Sequence, residues 1–208
     1  MAGLRERQKA DRHRRILEAA AALFRRSGYR HVKMEAIATA AGVSIGTIYN
    51  YYRNKGDLLV AIVSMEVHDV LAAGEEVVAR PPRDAGRAVH DLISIYLEHS
   101  LVYLSKEMWR HAMAISTQQP DTPSGEIYTE LDGRLADQVC ALIARLKALG
   151  AVREETDERA VGELIFNNTS MMFIQFVKDE AMPVSALLDR IGRQNAPLIG
   201  LIGTPAHG

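Results

Sequence analysis

The chain has one cysteine, Cys140, among its 208 residues, so no disulfide can form within it. No stretch approaches the ~18 consecutive apolar residues of a membrane-spanning helix, and no membrane partner is expected. The opening residues MAGLRERQKADRHRR lack the apolar centre of a secretory signal, which points to a soluble cytoplasmic protein. Catalytic signatures are missing as well. There is no G-x-S-x-G, no H-E-x-x-H and no glycine-rich phosphate loop. His99 and His111 stand twelve residues apart with Cys140 far away, which is not the spacing of a metal site. The expectation is therefore no enzyme, no catalytic residue, no metal and no cofactor.

What is present is an uneven distribution of charge. The formal net charge is only −1, yet residues 1–56 carry 12 Lys/Arg against 4 Asp/Glu, and residues 57–208 carry 13 against 22. A basic head would meet a polyanion, and an acidic body would not. Apolar residues make up 48% of the chain, enough to fill a core.

Apolar spacing is helical almost throughout, and no strand or internal repeat is evident. Ile16, Leu17, Ala20, Leu23 and Phe24 form one stripe between a capping Asp11 and a terminating Gly28. A short helix fits 34–41, and Gly42 supplies the left-handed residue of a tight turn. Ser44 caps a third helix predicted to reach about Tyr52, and Asn54 with Asp57 caps a fourth that runs to Pro81-Pro82. Further helices are predicted at about 84–104, 105–118, 124–149, 157–179 and 183–195. The fold class is all-α. The division by motif is a head at 1–56 and a helical body at 57–208, joined by a long helix.

Two short helices around A-G-V make a helix-turn-helix whose second helix suits a DNA groove. Ser44, Gly46 and Thr47 are small and allow close approach at its start. Tyr49, Asn50 and Tyr51 point in successive directions, so they cannot all face a core. A tyrosine offers a hydroxyl to phosphate, and an asparagine can pair with adenine. Ile48 and Tyr52 take the inward side, and Lys33, Arg53 and Lys55 supply positive charge nearby.

These residues also carry a resemblance. G-Y at 28–29, E-A-I-A-T-A-A-G-V-S at 35–44, G-T-I-Y at 46–49 and N-K-G-D-L-L at 54–59 are similar to the tetracycline-repressor (TetR) family. The match covers roughly a quarter of the chain; beyond it only length, helix count and an A-L-G-A-V near 148–152 agree. The resemblance implies that Ile45, Gly46, Thr47, Tyr49, Asn50, Tyr51 and Lys55 contact DNA, that Tyr52 sits in the core, and that the protein is a homodimer on a double-stranded palindromic operator. Tyr52 stands where the family often has Phe, so its hydroxyl needs a partner. Lys33-Met34 stands where a capping Thr or Ser is common.

The body is expected to supply a dimer face and a ligand pocket. Val161, Leu164, Ile165, Met172 and Phe176 form one stripe of helix 157–179, and Phe166, Phe173 and Val177 form another. A helix apolar on two sides needs cover on both, the second cover being another copy of the chain. Tyr96, His99, Tyr103, Met108, Trp109 and Met113, with Phe166, Asn167 and Ser170, are the candidate lining of a mostly apolar pocket for a small-molecule effector. For each of them, ordinary core packing is the competing reading. The function expected is a ligand-responsive repressor, the alternative a constitutive DNA-binding regulator without an effector.

Overall fold

A computed structural model describes residues 2–204. Among these, nine helices account for nearly all regular structure: α1 Ala2–Ser27, α2 Met34–Ala41, α3 Ile45–Tyr49, α4 Lys55–Ala79, α5 Ala85–His99, α6 Lys106–Gln118, α7 Pro123–Ala148, α8 Glu158–Lys178 and α9 Val184–Ile202. The all-α expectation holds.

Four boundaries differ from the periodicity reading, among them the end of α5, at His99 rather than near 104. Asp11 does not begin α1; it lies inside it, because A-G-L-R-E-R-Q-K-A before it is rich in strong helix formers. The third helix stops at Tyr49, three residues early, with Asn50 as its C-cap. α9 runs on through Pro197 to Ile202. Pro197 lies on the exposed side, and only one donor is lost from the ladder there.

By packing, the chain divides into two compact units, residues 1–66 with 102–129, and residues 67–101 with 130–208. This division uses a different criterion from the motif boundary at residue 56, and α4 contributes to both units.

In the first unit α1 packs on α2, and α2 on α3. Ile16, Leu17, Phe24, Ile37, Ile48, Leu58, Leu59 and Ile62 are buried there, and α6 brings Met108, Trp109 and Ala112 to the same core. Gly42 ends α2 in the left-handed region (φ 65°), and its amide reaches back to Ala38 and Thr39. A side chain would be strained at that φ, which is why the turn takes glycine.

In the second unit α9 packs on both α5 and α8. Leu92, Ile93, Leu142, Ile143, Ile165, Phe176 and Leu187 form its interior. Helices α7 and α8 meet closely at Gly162, where a Cβ would stand 2.6 Å from the Cys140 Cα. At its end α9 is tied to the α7–α8 turn: Arg153 N–H donates to Ile202 O (2.9 Å) and Thr204 N–H to Ala151 O (3.1 Å).

Candidate nucleic-acid interface

The recognition segment is built from its caps inward. Ser44 has extended backbone geometry, and its Oγ accepts the Thr47 N–H at 3.0 Å while sharing a 2.8 Å hydrogen bond with the Thr47 hydroxyl. Ile48 is the buried residue of α3 and anchors it. Ser44, Gly46, Tyr49 and Asn50 are exposed, Tyr49 at 50%, and Ile45, Thr47 and Tyr51 are half-buried. Lys33 is exposed and caps α2 with its backbone only, with no side-chain hydrogen bond. All nine expected DNA-contacting residues thus fall in the first unit.

The partner that the Tyr52 hydroxyl requires is His13. Its Nε2 lies 2.6 Å from the Tyr52 oxygen, and its ring stacks 5.8 Å from that of Tyr52 and 5.8 Å from Tyr51. Burial, with a smaller contribution from Lys9, pulls the His13 pKa below its ordinary 6.5, so at neutral pH the ring is uncharged. Burial also raises the Tyr52 hydroxyl well above its ordinary value, which keeps its proton on the oxygen. Nothing in local periodicity pairs two residues thirty-nine apart, so this contact was not readable from the sequence.

Lys55 has a task that its charge alone did not announce. Its ammonium donates to three backbone carbonyls of the α1–α2 turn: Tyr29 at 2.7 Å, Arg30 at 3.0 Å and Val32 at 3.1 Å. It also sits 4.6 Å from the centroid of the Tyr29 ring, a cation–π contact. An ammonium has three protons, and all three are directed at this turn. The Tyr29 ring meets Phe24 edge-on at 5.1 Å and His111 of α6 at 4.6 Å. The Tyr29 amide points at Glu107, 3.4 Å away. Behind the recognition segment, Asn54 and Asp57 form the expected reciprocal cap: Asp57 N–H donates to Asn54 Oδ1 (3.0 Å) and Arg53 N–H to Asp57 Oδ2 (3.2 Å). Ser124 of α7 donates to the other Asp57 oxygen at 2.5 Å.

The expected ligand residues are divided between units. Tyr103, Met108, Trp109 and Met113 belong to the first; Tyr96, His99, Phe166, Asn167 and Ser170 belong to the second. Met108, Trp109, Phe166 and Tyr96 are buried, His99, Tyr103, Met113 and Ser170 half-buried, and Asn167 exposed. The Tyr96 hydroxyl is already engaged, donating to Gln138 Oε1 at 2.6 Å, and Gln138 in turn donates to Leu71 O at 2.8 Å. A groove of about 310 Å³ runs between α5 and α9, lined by Val89, His90, Ile93, Leu188, Ile191 and Asn195 among others, and none of the nine expected residues lines it.

One reading of the body needs correction. Phe176 cannot serve a face between two copies, because it is fully buried within the second unit, as are Ile165 and Val177. The exposed apolar residues of α8 are Leu164 (58%) and Met171 (56%), which are seven residues apart and so share a face. Most of the first stripe is covered within the unit, but its member Leu164 stays exposed beside Met171.

A tight glycine turn, a capped five-residue helix with exposed polar residues and a basic surround define a helix-turn-helix domain. Residues 16–62 match the family model for bacterial regulatory proteins of the tetR family. It is 38% identical to the HTH-type transcriptional repressor KstR of Rhodococcus jostii over 72 residues, 35% of this chain and 34% of KstR. The matched stretch therefore spans about a third of that relative's length. The fold extends the likeness. Thermus thermophilus FadR, a TetR-family repressor solved with lauroyl-CoA, superposes with a TM-score of 0.63 at 20% identity, covering 94% of this chain and 98% of FadR. FadR from Bacillus subtilis, solved with stearoyl-CoA, gives 0.64 at 21% identity over 86% of this chain and 95% of that one. At such identities the shared property is the fold.

Removing the His13 imidazole strands a buried hydroxyl, whereas Tyr52→Phe removes the hydroxyl itself. His13→Ala is expected to cost about 1–3 kcal/mol and Tyr52→Phe about 0.5–1.5 kcal/mol, with the double variant less destabilised than the sum of the two. Urea melts of the three proteins read this directly; strict additivity would mean that the pair is not coupled. Lys55→Met is expected to lower stability by about 1–2 kcal/mol as well as weakening DNA binding, since three carbonyls lose their donor. Weaker binding with an unchanged melting curve would instead assign Lys55 to phosphate alone.

Proposed function

We propose that the protein is a ligand-responsive transcriptional repressor that binds a palindromic DNA operator as a homodimer. The observation that carries this reading is the exposed Gly46–Asn50 surface, held between the Ser44 cap and the His13–Tyr52 contact on a basic unit. Tyr49 and Lys33 supply phosphate contacts, Thr47 and Asn50 base contacts, and Ile45, Gly46 and Tyr51 shape complementarity to the groove. Two copies would place two such helices on half-sites one DNA turn apart, about 34–36 Å, or a multiple of it.

The dimer face we assign is the one bearing Leu164 and Met171 on α8. Large exposed apolar residues sharing a helix face are better covered than solvated, and α8 and α9 pack together to form the platform that carries them. The effector is a small, mostly apolar molecule bound in the body. It must favour an arrangement of the two heads that does not fit the operator, and a difference of a few kcal/mol suffices. The long helix α4, shared by both units, is the element through which that preference reaches the head. Two proteins of the same fold were solved with acyl-CoA thioesters, which makes such thioesters the first compounds to test.

Selection of bound duplexes from a random library should enrich a palindrome, and lauroyl-CoA or stearoyl-CoA should both raise the melting temperature and release the selected duplex. A library that stays random after several rounds at moderate salt refutes the DNA reading. A palindrome without any ligand effect across apolar metabolites leaves the constitutive regulator. For the dimer, Leu164→Glu combined with Met171→Glu should give a folded monomer by light scattering with poor affinity for the full palindrome. A dimer of wild-type strength in that variant would reject the face.

A further inference from the structure

We propose that the first four turns of α1 form a second DNA-contacting surface: a basic helical extension that leaves the head beside the recognition helix and lies on the phosphate backbone flanking the base-read half-site. The proposal rests on the DNA-binding reading above and adds residues that the helix-turn-helix itself does not include.

The burial of α1 changes abruptly along its length. From Ile16 onward it carries the buried stripe Ile16, Leu17, Ala20, Ala21 and Phe24. Before Ile16, Glu6 to Arg12, Arg14 and Arg15 are exposed, and only His13 is half-buried. Fourteen residues of helix, about 21 Å, therefore precede the core. A helix of that length without an apolar face gains nothing from tertiary packing and is marginal alone in water. The family-model match covers residues 16–62, so this segment lies outside it.

Its chemistry points to one kind of partner. Residues 1–15 contain six Lys/Arg against Glu6 and Asp11. Among the described residues no ion pair joins Arg7, Lys9, Arg12 or Arg15 to an acid, and Arg14 has only the exposed Glu18 at 4.0 Å. The exposed positions hold no apolar stripe that a membrane surface would bury. A polyanion is the partner that a predominantly basic helix with four unpaired, exposed Lys/Arg side chains fits.

Position selects which polyanion. Near the base of the extension, His13 touches Tyr52 and Tyr51, just after the recognition helix. Lys9, one turn earlier on the same face, is near enough to affect the His13 imidazole. The extension thus departs from the head at the edge of the surface that meets DNA, so duplex docked on α3 continues past Lys9 and its neighbours.

The test replaces Arg7, Lys9, Arg12 and Arg15 with Gln in the full chain, since Gln keeps helix propensity near that of Lys and Arg. A second variant deletes residues 2–12 and leaves His13 and the α1 core in place. Both are assayed on the duplex selected by the wild type, once trimmed to the half-sites and once with flanking DNA of arbitrary sequence. Wild type is expected to gain about tenfold in affinity from the flanks, and both variants to lose that gain. The slope of log affinity against log salt should fall by about 0.9 per lost phosphate contact, thus by about 2 for one contact in each of two copies. Variants that keep the wild-type flank gain and salt slope overturn this inference alone. A wild type that selects no duplex overturns it together with the reading beneath it.

Discussion

The head depends on one electrostatic knot, the Lys55 ammonium against the carbonyls of Tyr29, Arg30 and Val32. These carbonyls belong to the turn between α1 and α2, which a helix end leaves without intrahelical donors. Lys55 is the first residue of α4, so one side chain fixes the start of α4 to the exit of α1 and the entry of α2. The Tyr29 ring beneath the ammonium then meets His111, and the Tyr29 amide meets Glu107, both on α6. Burial is the main effect that pulls the Lys55 pKa down, and the nearby Glu107 carboxylate opposes it. Four helices of the first unit are therefore referenced to one turn.

That arrangement explains which parts could be read in advance. Helices α2 to α4 were legible because their signals are local: the Gly42 turn, the Ser44 cap and the Asn54–Asp57 pair each lie within a few residues of the structure they set. The role of α6 was not legible. Its Glu107, His111 and Ile115 reach Tyr29 and Gly56, residues more than fifty positions earlier, and no periodicity encodes such a pairing. Lys55 illustrates the difference well. Its charge is evident in the sequence, but whether an ammonium faces phosphate or carbonyl depends on the turn that folds over it.

The body shows the same limit in another form. Its helices lie near their expected positions except at the ends of α5 and α9, yet the apolar pattern of α8 did not show which residues stay open. An apolar stripe declares that a face will be covered, not by what. Phe176 packs within its own unit and stacks near Phe173 at 5.7 Å, while Gly162 brings α8 against Cys140 closely enough that α7 needs no larger side chain there. Leu164, a member of the first stripe, remains outside together with Met171. The polar pair Asn168–Asn195, linked at 2.9 Å, adds a directional contact between α8 and α9 that a purely apolar seam would lack.

The recognition helix has only five residues and one buried side chain, far below the length at which a helix is stable by itself. Its geometry must therefore be imposed from its ends. At the start Gly42 turns the chain and Ser44 captures the Thr47 amide; at the finish Tyr52 is held by His13 from another helix. The exposed residues of α3 are thus positioned by contacts at its two ends. It follows that the direction in which Tyr49 and Asn50 point is decided by packing behind them, and that a change at His13 alters the interface as surely as a change on its surface. His13 also lies within three residues of Ile16, where the buried part of α1 begins, so the contact that orients α3 sits at the base of the basic extension.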